Sequence, residues 1–152
     1  MALRSEQRTR PRTDVRQTHE TVRHGWAARA AGILGAVLVV ATGAIHLYLY
    51  NDYFSAVPTI GRLFLANFVA GVTLGALLLM RRGWIWPLLG AGYCATTLGA
   101  FLVSVHWGLF GYQETLRGAW QEWAAAVEVG GILVCVIAAV LAGRGDRRHT
   151  MI

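Results

Sequence analysis

Four apolar stretches, at about 26–50, 60–80, 84–107 and 120–142, leave this chain few choices of fold. An α-helix rises about 1.5 Å per residue, so about 20 apolar residues cross the hydrocarbon of a bilayer. In lipid every backbone N–H and C=O must find a partner within the protein, and short-looped helices supply one most simply. Only 14% of the residues are charged, against about 25% in soluble domains. The expected fold class is therefore all-α, an integral membrane four-helix up-down bundle.

The charges that do occur set the expected orientation. Arg4, Arg8, Arg10, Arg12, Arg16, Arg23 and Arg29 crowd the start, Arg81 and Arg82 mark the second turn, and Arg144, Arg147 and Arg148 lie near the end. Short segments rich in arginine stay on the cytoplasmic side. Both termini and the Arg81-Arg82 turn are thus expected in the cytoplasm, with the first and third turns outside. The same placement accounts for a net charge of +6 without nucleic acid as a partner. Residues 1–24 are polar and aperiodic, which predicts a disordered cytoplasmic tail able to lie on anionic headgroups. Residues 144–152 form a second tail. The polar leader and the span-length run behind it are both too long for a cleavable signal peptide. There is no lysine, and Ala, Gly, Val and Leu are heavily used. This points to a G+C-rich bacterial gene and so to the plasma membrane.

Polar side chains gather toward the outer ends of the spans. The stretch from Gly43 to Leu65 carries His46, Tyr48, Tyr50, Tyr53, the Asn51-Asp52 pair and Arg62. Asp52 and Arg62 bracket the turn and are placed to pair. In the second span Gly71 and Gly75 form a small-xxx-small pair suited to close helix approach or self-association, with Asn67 one turn earlier. In the third, Gly92, Thr96, Gly99 and His106 share a face. In the fourth, Gln121, Ala125, Glu128, Gly131 and Cys135 do so, and a face with a carboxyl group among small residues is expected to point inward. A carboxyl group at that depth is protonated, paired or facing a wet cavity. Asn67, His46 and Arg62 are the partners in reach. An outward-opening polar pocket is expected from His46, Asn67, His106 and Glu128. Cys94 and Cys135 read as small core hydrophobes.

The two halves share a short pattern, His46-x-x-Leu49-Tyr50 and His106-x-x-Leu109-Phe110, which hints at tandem hairpins. Histidines at like depth on parallel spans raise the alternative of a single b-type haem, with Gly43 and Gly99 leaving room for a flat ring. A zinc or copper site of His46, His106 and Glu122 or Glu128 is a further alternative, though no two of these ligands share one helix turn. Interfacial anchoring beside Tyr and Trp explains both histidines without either group. No cofactor is therefore expected. Nucleophile elbows, zinc-protease helices and phosphate-binding glycine loops are missing from the sequence. The leading expectation is a non-enzymatic accessory or binding subunit, with the lipid bilayer and another membrane protein as partners. A small proton-coupled carrier with Glu128 as its proton site is the alternative from another class.

Several segments also resemble a group of uncharacterised small four-span integral membrane proteins of high-GC Gram-positive bacteria. These are His46-Leu-Tyr-Leu-Tyr, Pro58-Thr-Ile-Gly, Leu63-Phe-Leu-Ala-Asn67, Gly108-Leu-Phe-Gly-Tyr-Gln-Glu114 and Glu128. The resemblance covers roughly residues 30–142 and implies the four-span topology. It also implies a site centred on His46, Asn67 and Glu128, together with the position of Glu114. It has no counterpart for His106.

Overall fold

The computed structural model describes residues 13–113 and 119–149, with side chains described for 25–113 and 119–145. Four helices account for nearly all of it: α1 (Thr13–Leu49), α2 (Pro58–Met80), α3 (Ile85–Trp107) and α4 (Ala119–His149). Four stretches are long and apolar enough to cross a membrane: Gly25–Phe54, which runs past the end of α1, Pro58–Met80, Ile85–Trp107 and Ala119–Gly145. The described part is all-α and has the makeup of a multi-pass membrane protein.

Two helices run beyond their expected spans. The first begins at Thr13, so the helix takes in residues 13–24 of the expected tail. Once a helix is nucleated, each further residue adds one hydrogen bond. No Gly or Pro lies between Arg12 and Gly25 to stop it. The fourth helix likewise continues to His149. Residues 1–12 of the expected tail, with Glu114 and Arg117 of the third turn, fall outside the described residues.

Glycine governs how closely the helices meet. A Cβ at Gly71 would lie 3.0 Å from the Val39 carbonyl oxygen and 3.1 Å from Gly43 Cα, while one at Gly75 would strike the Val40 side chain. The small-residue stripe of α2 is therefore spent on α1 inside the chain, and both glycines are buried. Cys94 and Cys135, both fully buried, fill glycine notches in return. Cys94 Sγ occupies the notch at Gly131, and Cys135 Sγ those at Gly35 and Gly90. Around them Ala36, Val39, Leu78 and Ala91 make the main core, with Trp86 and Tyr93 packed against it.

The face that Gly92, Thr96, Gly99 and His106 share on α3 is turned away from the core. Gly92 and Gly99 have nothing within 4 Å of a built Cβ, and Thr96 and His106 are exposed. The inward face is Pro87, Gly90, Ala91, Cys94 and Ser104. On α4 the expected face does point inward through Glu128, Gly131 and Cys135.

At the end bearing the first and third turns, α1 widens into a π-helical turn over Tyr50–Phe54. Pro58 then starts α2 where its missing N–H costs nothing. A Cβ at Gly61 would sit 2.5 Å from the Phe54 carbonyl oxygen, so only glycine lets the chain double back this tightly. After α3, Leu109 and Tyr112 exchange two backbone hydrogen bonds of 2.7 and 3.0 Å. Phe110 (φ 53°) and Gly111 (φ 81°) form the turn between them, the mirror-image geometry that suits tight hairpins. This turn carries Tyr112 edge-on against Phe54 at 5.2 Å.

Candidate functional site

All four helices place a polar side chain at a similar level: Thr42, Asn67, Thr97 and Glu128. They lie between about seven residues (Thr42) and about ten (Thr97), or about 10–15 Å, from the end of the helix that bears the first and third turns. Glu128 is 2% exposed and Thr42 1%. The Glu128 carboxyl faces the Thr97 hydroxyl of α3, which replaces the expected partners Asn67, His46 and Arg62. Arg62 is exposed.

Thr97 has a single proton to donate, and its oxygen sits 3.1 Å from the Tyr93 carbonyl and 3.0 Å from that of Cys94. The same hydroxyl thus stands between its own helix carbonyls and the Glu128 carboxyl. Across the bundle the Tyr93 hydroxyl donates to the Asn67 backbone carbonyl at 3.0 Å, passing over the space left by Gly71. It ties α3 to α2. Among the described residues Asn67 Oδ1 remains unsatisfied, and Thr42 Oγ1 has only the Cys94 thiol beside it. A buried polar group without a partner costs about 1–3 kcal/mol.

The histidines divide. His46 is half-buried, with Nδ1 2.8 Å from the Thr42 carbonyl and its ring 5.0 Å from Phe64. His106 repeats the local contact, with Nδ1 2.9 Å from the Leu102 carbonyl, but is exposed beside Trp107. The shared pattern of the two halves is thus one of local geometry, and the surroundings differ. His106 does not join the layer, so the four-residue pocket expected from the sequence is not assembled. A haem does not fit either. Space at Gly43 is filled by the backbone of Phe68 and Gly71, and Gly99 opens outward. Among the described residues no three His, Cys, Asp or Glu side chains come together as metal ligands, so the His46, His106 and Glu122 or Glu128 set is not formed.

Asp52, expected to pair with Arg62, instead faces the Tyr48 hydroxyl, which also meets the Trp120 indole. The Tyr48 and Trp120 rings lie 4.5 Å apart and join α1 to α4.

Thr42, Tyr93 and Thr97 carried no signal of their own in the sequence. Thr42 was reachable as the residue one turn before His46, and Thr97 as the neighbour of Thr96, one position off the face chosen for α3.

Fold and site together describe an all-helical chain of four span-length apolar helices with a carboxyl group, Glu128, buried among them. Comparison with family models, curated proteins and solved structures finds no match to this chain.

Proposed function

We propose that the protein is a non-enzymatic subunit of a bacterial plasma membrane that binds a small polar guest, or a partner's polar side chain, at the layer of Thr42, Asn67, Thr97 and Glu128. One observation carries the reading: Asn67 Oδ1 is shut from solvent with no partner, and Thr42 Oγ1 has only the Cys94 thiol, a weak partner, beside it. A buried polar group left so costs about 1–3 kcal/mol. A guest that bonds to them recovers that energy.

An up-and-down arrangement is supported by the contact register. Along α1 and α2, Gly75 meets Ala36, Gly71 meets Val39, and Gly61 meets Tyr50. Between α3 and α4, Trp84 meets Gly143, Cys94 meets Gly131, and Thr97 meets Glu128. Cytoplasmic termini are supported by the arginines at 81, 82, 144, 147 and 148. Aromatic residues fit both interfaces. Trp26 and Trp84 are exposed at one end, and Tyr53, Trp107, Trp120 and Trp123 at the other. Trp84 and Trp107 are about 35 Å apart along α3, which suits a hydrocarbon core of about 30 Å.

The test is native mass spectrometry of the full chain extracted in mild detergent, as wild type and Thr42→Val. The binding reading expects an added mass, a small molecule or a second chain, that Thr42→Val loses. A bare chain in both samples, with Thr42→Val the more stable, overturns it.

A second reading follows from Glu128 facing a hydroxyl and not a cation: a carboxyl that carries a proton for a small coupled carrier. Liposomes with an imposed pH gradient decide it. A carrier loses flux in Glu128→Gln, whereas a binding subunit shows the same passive leak in both proteins.

A further inference from the structure

We infer that the arginine-bearing end of the bundle holds one phosphate-bearing anionic lipid, between the α2–α3 turn and the end of α4. Trp84 is the joint. Its Cβ lies 3.7 Å from where a Gly143 side chain would begin, so the turn rests on the last part of α4. Arg81 and Arg82 are thereby brought to the same rim as Arg144, and all three are exposed. The Arg81 guanidinium sits 5.9 Å from the Trp86 ring centroid, and Trp86 packs on the core. A cation–π contact of this kind orients the guanidinium without neutralising it.

No carboxylate among the described residues pairs with these arginines. The chain has no acidic residue from Arg62 to Gln113. Guanidinium groups bind phosphate oxygens through paired, charge-assisted hydrogen bonds. The turn itself is open, since Gly83 (φ 111°) has nothing within 4 Å of a built Cβ. Below it Met80, Ile85 and Leu89 are exposed, an apolar bed for acyl chains at the depth where Trp84 anchors the headgroup region. Arginine-rich turns in general attract anionic leaflets diffusely. Here the tryptophans fix where the charges stand.

The experiment titrates phosphatidylglycerol or phosphatidylcholine onto the full-length protein in detergent and reads bound lipid by native mass spectrometry. The wild type is expected to retain one phosphatidylglycerol about tenfold better than phosphatidylcholine, a difference of about 1.4 kcal/mol. Arg81→Gln/Arg82→Gln is expected to abolish that preference. Gly143→Leu, which displaces Trp84 but keeps every arginine, is expected to weaken it, and Arg147→Gln/Arg148→Gln to leave it intact. Equal loss from the two double variants overturns the inference in favour of diffuse charge. Displacement by inorganic phosphate overturns it in favour of a free anion. Should Gly143→Leu fail to fold, the comparison of the two double variants decides alone.

Discussion

Gly71→Ala tests how the bundle is joined. The added methyl would stand 2.7 Å from the Tyr93 hydroxyl, 3.0 Å from the Val39 carbonyl oxygen and 3.1 Å from Gly43 Cα. Two of these neighbours are backbone atoms of α1 and cannot rotate away. Restoring an ordinary separation of about 3.5 Å moves α1 by about 0.4 Å at this level. Overpacking of this kind costs about 1–3 kcal/mol. The Tyr93 hydroxyl must also retreat, which endangers its 3.0 Å bond to the Asn67 carbonyl, a contact of about 0.6 kcal/mol between helices in a membrane. Against this stands a helix-propensity gain of about 0.5–1 kcal/mol for replacing glycine. The net expectation is a loss of about 1–3 kcal/mol. Gly92→Ala is the control, because a Cβ there meets nothing within 4 Å, and it should gain up to about 1 kcal/mol. Reversible unfolding of both variants in mixed micelles reads the difference. If Gly71→Ala proves as harmless as Gly92→Ala, the intrachain packing of α1 on α2 is refuted. A changed dimer fraction with unaltered monomer unfolding would return the stripe to self-association.

Other expectations follow from single contacts. Glu128→Gln keeps the volume and a donor for the Thr97 hydroxyl, so it should cost less than about 1 kcal/mol, whereas Glu128→Ala leaves a void and should cost about 2–4 kcal/mol. Equal losses in the same unfolding assay would show that the carboxyl group itself holds the fold. Phe110→Asn should stabilise by about 1 kcal/mol, because φ 53° strains a bulky residue and suits asparagine. A loss on that substitution would mean that the exposed Phe110 ring makes contacts worth more than the strain. In the same turn, Gly111→Ala (φ 81°) should cost about 1 kcal/mol, and a neutral result would refute the turn geometry.

What the sequence could and could not convey follows from the solvent. Helix ends were legible because arginine, tryptophan and proline mark the passage from lipid to water, as at Pro58, Arg81 and Trp107. Helix faces were harder, because lipid is as apolar as a protein core and an apolar stripe no longer tells inside from outside. On α3 two stripes of small residues compete, Gly90-Ala91-Cys94 and Gly92-Thr96-Gly99, and His106 drew attention to the wrong one. On α4 the choice was forced, since a carboxyl group cannot be left facing hydrocarbon cheaply. Gly71 and Gly75 announced a close approach without naming the partner helix. Thr97 was invisible because a threonine hydroxyl can bond its own helix backbone, as it does here, and Thr42 because the same option makes any threonine in a span unremarkable. The legibility of a polar residue in this protein thus scales with its cost when alone. That is why Glu128 was found at once, while the hydroxyls that complete its layer emerged only from the packing of α1 and α3 around it.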